Sequence, residues 1–496
     1  MNSSQFRLSS STLDILQQSL LVEKNVEFGL AKINNGLKLV ILAEKEYAQQ
    51  LGFEGDSSEF DNSALTVCSL HHNNADSLRK NLPWLQPRLL GLSTSAGMGD
   101  RLGLATPGHV RATQKTGGKI APIFAQQSIR EMGRTNRTPY QVMDDATWGT
   151  FQENWKNGVG ADADHLKTTA DIDLCQAAGF TFFTIDPGDH VNNAAETASL
   201  SDLNELITKL PEEIQAKAND LLNKTFSIDG MKLVFDEMTL FKAMVKYGRA
   251  IWHVKNMYEY LVSASGSRPF ELEVSVDETD QPTTHAEHFY IASELKRLGV
   301  KWVSLAPRYV GRFEKGVEYI GDLDVFSKDM AGHAAIAKQL GPYKLSLHSG
   351  SDKFNIYPIA MQHTGGLVHL KTAGTSYLEA LHTIADLDID LLKEIYTFAR
   401  SHYENDRKSY HVSADLTKAP TPEKVQDWPS LLYQFDAREI FHVTFGTVLT
   451  YKTNDGKFLF FNRIFDLLQK YPDAYAKNLE MHFIRHLQPF SVSTSH

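Results

Sequence analysis

Two short runs limit what this 496-residue chain can fold into more than any other feature. In Y-K-L-S-L-H (343–348), Lys344, Ser346 and His348 share one face of an extended backbone, and Leu345 and Leu347 share the other. In L-V-H-L-K (367–371), His369 and Lys371 lie opposite Val368 and Leu370. Side chains of a strand alternate with a period of two, so each run turns polar groups to one side of a sheet and hydrocarbon to the other. Both runs end in small turn-forming residues, Ser349-Gly350-Ser351 and Thr372-Ala373-Gly374-Thr375. Polar strand ends followed by such loops are what the active site of a (β/α)8 barrel is made from, so an enzyme is expected.

Six more β-like runs precede these two, at 89–94, 120–125, 158–163, 180–186, 270–277 and 302–308, separated by helical patterns such as 284–298 and 324–340. Strands alternating with helices imply a parallel sheet. The expected fold class is therefore α/β, a TIM-barrel-like (β/α)8 unit over 86–450. A small mixed α/β region precedes it at 1–85, with a helix at 13–22, strands at 37–43 and 64–70, and a polar loop at 55–63. Its expected role is packing or assembly of a homo-oligomer. A mostly helical insertion is expected at about 192–244, and a C-terminal helical extension at 451–496. Two further strand-like runs, 410–414 and 440–445, give ten candidates for eight places.

Hydrophobic residues make up 42% and charged residues 22%, which permits a large core. The net charge is −10 with no basic cluster, which argues against nucleic acid or an anionic membrane as partner. No uncharged apolar run reaches the ~18 residues of a membrane span. The two cysteines, Cys68 and Cys175, lack C-x-x-C spacing, so neither a disulfide framework nor a thiolate zinc site is expected, and a cytoplasmic location fits.

The residues that suggest chemistry cluster at predicted strand ends. F-E-L-E-V-S-V-D (270–277) lines up Glu271, Glu273, Ser275 and Asp277 on one face. Acids on the inner wall of a barrel are costly unless paired or liganded, which points to function; an ion pair with Arg308 or Lys371 is the plainer reading. G-A-D-A-D-H (160–165) brings two carboxylates to His165, and I-D-P-G-D-H (185–190) adds Asp186. Gln127 and Ser128 offer neutral groups suited to hydroxyls, and Arg308 offers a fork for a carboxylate. G-M-G-D-R-L-G (97–103) misses the dinucleotide fingerprint and reads as a plain βα loop, with a phosphate or carboxylate cradle as the alternative. His285, His288 and His333 read as packing or surface residues. Together the mixture suits a small polyhydroxylated anion with a divalent metal, which His and carboxylate ligands leave open among zinc, manganese, nickel and iron.

Long strings now fall into place: M-G-D-R-L-G (98–103), P-I-F-A-Q-Q-S-I-R-E (122–131), D-D-A-T-W-G-T-F-Q-E (144–153), F-T-I-D-P-G-D-H (183–190), E-V-S-V-D-E-T (273–279), S-L-H-S-G-S-D-K-F (346–354) and K-T-A-G-T-S-Y-L-E-A (371–380). In these the chain resembles the tagaturonate/fructuronate (hexuronate C4-) epimerases, from about residue 89 to 448. The resemblance implies a metal-dependent epimerase that inverts C4 of a keto-uronic acid. It implies Asp164 and Glu273 as the acid/base pair, and His165, His348 and His369 as metal ligands. Gln127, Ser128, Asp186, Arg308 and Lys371 are the expected substrate contacts. Arg312 stands where the family is expected to carry an acid, which leaves Glu314 open as a ligand.

The C4 hydrogen is β to the C2 carbonyl, so its removal would leave an unstabilised carbanion. Retro-aldol cleavage of C3–C4 with re-addition is the favoured route. Transient oxidation by nicotinamide lacks its fingerprint. A Schiff base on Lys371 or Lys344 is the rival to metal chemistry. A sugar-acid aldolase, an aldose–ketose isomerase and a non-catalytic uronate-binding regulator are the alternatives.

Overall fold

A computed structural model describes residues 6–34, 36–215, 218–410 and 412–491. Eight parallel strands close into a barrel: β1 (Ser95–Gly97), β2 (Ala121–Ser128), β3 (Gly160–Leu166), β4 (Phe182–Ile185), β5 (Glu271–Val276), β6 (Ser304–Pro307), β7 (Lys344–Leu347) and β8 (Val368–Lys371). Neighbours in sequence are neighbours in space, and β8 closes onto β1 through His369 opposite Ser95. The outward residues of the opening pair of runs, Leu345, Leu347, Val368 and Leu370, are buried in one core with the surrounding helices. Their inward partners Lys344, Ser346, His369 and Lys371 are buried too, inside the barrel. That is the (β/α)8 architecture which the alternating runs imply.

The first strand begins later than 89–94. Instead, Leu90 and Gly91 donate their backbone N–H groups to the Glu271 carboxylate, so this segment is held as a turn at the N-terminal end of β5. Glu271 is thereby accounted for by structure and does not face the catalytic end. The runs at 410–414 and 440–445 are not strands. The second lies in helices Phe435–Val443 and Phe445–Thr450, and the described part of the first is irregular, with residue 411 outside the described residues. Their apolar residues meet helices rather than a sheet edge, which a short apolar run cannot reveal by period alone.

The N-terminal region carries a mainly antiparallel sheet in the order Asp14–Ile15, Val26–Ile33, Gly36–Ala43, Ser63–Cys68, Gly55–Phe60, with Leu21–Glu23 also on Val26–Ile33. The expected helix at 13–22 is thus two short strands and a 3-10 turn. The expected loop at 55–63 is mostly a strand, turned back at Asp61 and Asn62, both with positive φ. Phe28 of this sheet and Leu78 of helix His72–Asn81 share a core with Trp148 and Phe151 of helix Pro139–Gln152.

Between β4 and β5 the insertion holds helices Leu200–Ile207, Glu212–Gln215 and Ala218–Leu221, and the chain re-enters the barrel by the long helix Glu237–Ser265. It also holds a hairpin, Lys224–Ile228 with Met231–Phe235, turned at Asp229-Gly230. Asp-Gly is the dipeptide that such tight turns favour. The C-terminal helices are Phe461–Lys470 and Pro472–Ser491. Among the described residues no helix is long and apolar enough to cross a membrane.

Candidate active site

The inward residues of the barrel stack in three tiers. Lowest are Phe182, Lys344, Ser95 and His369. Ser95 Oγ accepts from Lys344 Nζ at 2.9 Å and lies 2.9 Å from His369 Nδ1. The Lys344 ammonium stands over the Phe182 ring, and burial brings its pKa down to about 8.

The middle tier is an ion cluster around one ammonium. Lys371 Nζ lies 2.6 Å from Asp164 Oδ1, 2.8 Å from Glu273 Oε1 and 3.0 Å from Asp162 Oδ2, and donates to Thr184 Oγ1 at 2.7 Å. Gln126 Nε2 donates to the other Asp164 oxygen at 3.0 Å. Burial alone would raise the Asp164 and Glu273 carboxyls. The Lys371 charge outweighs it, with the nearby imidazoles helping, and holds both below the ordinary carboxylate range. Burial would lower the Lys371 pKa, and the three carboxylates overcome that and raise it.

Above them stand two histidines, each steadied from behind. His348 Nδ1 lies 3.3 Å from Asp277 Oδ1, and its Nε2 lies 2.5 Å from Glu273 Oε1. His165 Nδ1 lies 3.2 Å from Asp186 Oδ2, and its Nε2 is 3.8 Å from Asp164 Oδ1. The two rings are 5.1 Å apart. His165 reaches this place because β3 breaks its alternation. Its φ is +52°, and the pairing of β3 with β4 shifts between Phe183, opposite Ala163, and Ile185, opposite Leu166. The extra residue lets Asp164 and His165 both face the barrel interior while Leu166 returns to the outer core.

This arrangement separates the expected site residues. Asp164, Glu273, His165, His348 and Lys371 come together. Asp186 is the hydrogen-bond partner of His165 and also accepts from Gly188 N at 2.8 Å, so its oxygens are engaged within the protein. Gln127 pairs with Ala163 on the outer side of the pleat, away from the ion cluster. Ser128 lies opposite Asp164 and caps helix Ile129–Thr135 by accepting from Glu131 N at 3.1 Å. Arg308 stands just past the end of β6, half-buried. His369 sits a tier below, its Nε2 3.9 Å from Asp162. Glu314 is tied to Ser413, whose N–H and hydroxyl both donate to it. His288 and His333 pack outside the barrel, 2.9 Å apart through their Nδ1 atoms.

Asp162, Thr184, Gln126 and Asp277 take part as well, although the sequence assigned none of them a specific role. Their signal was the same period of two: Asp162 shares a face with Asp164, Thr184 with Asp186, and Asp277 with Glu273.

The ligand atoms of Asp164, His165 and His348 lie within 4.8 Å of one another. Two imidazoles and a carboxylate, without thiolate, suit a divalent ion of the zinc, manganese, nickel or iron type. His369 belongs to none of the ligand clusters found among the described residues.

A sequence model of the tagaturonate epimerase family (UxaE) matches residues 16–490. The chain is 42% identical over 478 residues to a tagaturonate/fructuronate epimerase of Thermotoga maritima, covering 96% of each chain. Its fold matches the native crystal structure of the fructuronate-tagaturonate epimerase UxaE of Cohnella laeviribosi with a TM-score of 0.91, at 36% identity over 98% of both chains. A glycerol complex of that enzyme matches with the same TM-score at 35% identity.

Proposed function

The chain belongs to the tagaturonate epimerase family, and from that premise we propose that it is a carbohydrate epimerase interconverting D-fructuronate and D-tagaturonate by inversion at C4. The observation that carries the mechanistic part is that ligand atoms of Asp164, His165 and His348 lie within 4.8 Å of one another, with Glu273 Oε1 2.5 Å from His348 Nε2. Asp186 and Asp277 hold the far ring nitrogens, as the carboxylates behind metal-binding histidines do. His165 and His348 would hold a divalent cation, with Asp164 beside them. Such a cation would supply a Lewis acid for the negative charge that builds as C3–C4 opens.

The chain's own residues carry the protons. One of the two carboxylates, Asp164 or Glu273, takes the proton of the C4 hydroxyl. The C3–C4 bond then breaks, leaving an aldehyde at C4 and its electron pair in the C2–C3 enediolate. The aldehyde turns and the bond re-forms on its other face. The proton passes from the first carboxylate to the second through the Lys371 ammonium, which touches both, and the second returns it to the C4 oxygen. Lys371 keeps both carboxylates ionised and so able to accept. Its ammonium is already surrounded by three acids, so it serves the carboxylates and not the carboxylate of the substrate. A Schiff base on Lys371 is disfavoured for the same reason, since that chemistry needs a neutral amine. Arg308, at the mouth, is available to the substrate's oxygens. A cytoplasmic setting fits the two free, buried cysteines.

The test is incubation of the full chain with fructuronate, with and without a chelator, followed by NMR. Tagaturonate should form, stop forming with chelator, and return when a divalent ion is restored. Two smaller fragments would mark an aldolase, a shifted carbonyl an isomerase, and saturable binding without turnover a regulator.

A further inference from the structure

With Lys371 committed to its acids, the substrate carboxylate needs another seat. We propose that Arg101, His442 and Tyr377, gathered around Gly374 past the end of β8, form that seat; this rests on the epimerase reading above.

All three side chains are almost wholly buried, with polar atoms that have no partner among the described residues. Arg101 is 2% exposed. Its Nη2 donates to Glu131 Oε1 at 2.6 Å, while Nε and Nη1, three N–H groups, reach no acceptor. His442 is 0% exposed and neither ring nitrogen is bonded. The Tyr377 hydroxyl, in the first turn of helix Thr375–Leu387, is likewise buried and unpartnered. Buried polar atoms without partners are uncommon in folded proteins, and five of them in one cluster, four of them donors, call for a partner that arrives from outside.

The three belong to one place. Arg101 lies with its guanidinium carbon 3.5 Å from the centre of the Phe445 ring, and the Tyr377 ring meets the same phenylalanine. Gly374 stands between Arg101 and His442. A Cβ there would lie 2.7 Å from both Arg101 Nη2 and His442 Cε1, so only glycine allows the crowding, and its φ of +106° suits glycine as well. Gly374 is also the N-cap of helix Thr375–Leu387, with no side chain capping it, so the positive end of the helix dipole faces the same spot.

The charges nearest the cluster favour an anion. Lys315, half-buried, lies close enough to act with Arg101 on Glu131: burial would raise that carboxyl, and the two cations bring it down to about 2. Arg101 and Lys315 are the cations that act most on Glu131, and positive charge there favours an incoming carboxylate. Its planar pair of oxygens fits the free edge of a guanidinium. The seat is also near the reacting carboxylates, because Glu131 is bonded to Ser128 and Ser128 lies opposite Asp164 on the neighbouring strand.

The experiment compares fructuronate with fructose, which carries CH2OH in place of the carboxylate, on the full chain supplied with a divalent ion. Affinity by calorimetry and KM against kcat are measured for wild type, Arg101→Lys and Tyr377→Phe. Arg101→Lys keeps the charge facing Glu131 but loses the fork. The preference for the uronate over the hexulose should fall about 10- to 100-fold in Arg101→Lys, mainly in affinity and KM, and about 10-fold in Tyr377→Phe. If Arg101→Lys fails to fold, Tyr377→Phe decides alone. An unchanged preference in the folded variants, with wild type still epimerising, overturns the seat and leaves the reaction standing. Wild type that binds fructuronate without epimerising it overturns the reaction instead.

Discussion

At His165 the backbone enters the left-handed region, φ +52°, which costs a non-glycine residue on the order of 1 kcal/mol. What the cost provides is two consecutive residues facing inward, the carboxylate of Asp164 and an imidazole whose Nε2 points toward it. Asp186 and Asp277 then fix which nitrogen of each histidine is presented. Asp277→Asn should therefore weaken binding of a divalent ion about 10- to 100-fold, read by metal titration, while the fold stays intact. Unchanged affinity would remove Asp277 from that role. At this scale the sequence was informative about faces and silent about depth. Alternation put His369 and Lys371 on one side of β8, yet the two lie in different tiers, and only Lys371 reaches Asp164 and Glu273. Alternation also could not announce the bulge at His165, because a positive φ at a histidine leaves no mark on the pattern. Gln127 failed for the opposite reason: strict alternation with Gln126 sends it outward.

Among the elements, the strands with a clear two-residue rhythm were legible, and seven of the eight barrel strands overlap the runs that named them. The exceptions follow from tertiary contacts. Segment 89–94 has the composition of a strand but is held as a turn by Glu271, 180 residues away. The run at 440–445 is apolar because it packs within helices, and nothing local distinguishes that from a buried strand. The C-terminal helix Pro472–Ser491 shows how tightly such contacts are drawn. A Cβ on Gly108, in helix Thr106–Lys115, would lie 2.5 Å from Leu479 Cβ and 2.9 Å from the Ala476 carbonyl oxygen. Gly108→Val should push the two helices apart and cost about 1–3 kcal/mol, seen as a lower midpoint of thermal or urea unfolding. An unaltered midpoint would mean that this contact relaxes without loss.

For the molecule as a whole, the closed barrel gathers side chains from β2, β3, β4, β5, β7 and β8 at one end, and the segments after β8 add a second layer there. His442 and Phe445 come from that layer and meet Arg101 from the loop after β1. The C-terminal helix is joined to the loop after β7 as well: His482 lies between Asp352, at 3.3 Å, and Glu379, at 3.1 Å, and Arg438 holds the other Asp352 oxygen at 2.9 Å. The C-terminal part of the chain thus bears on the end of the barrel where the carboxylates lie, an arrangement that would keep the proposed aldehyde fragment in place while it turns. The proposed mechanism requires that C4 be inverted by breaking C3–C4 and not by removing the C4 hydrogen. Turnover of fructuronate in D2O with a divalent ion present, followed by NMR, reads this directly. Tagaturonate should accumulate with protium retained at C4. Deuterium at C4, or no tagaturonate with any divalent ion, would contradict it.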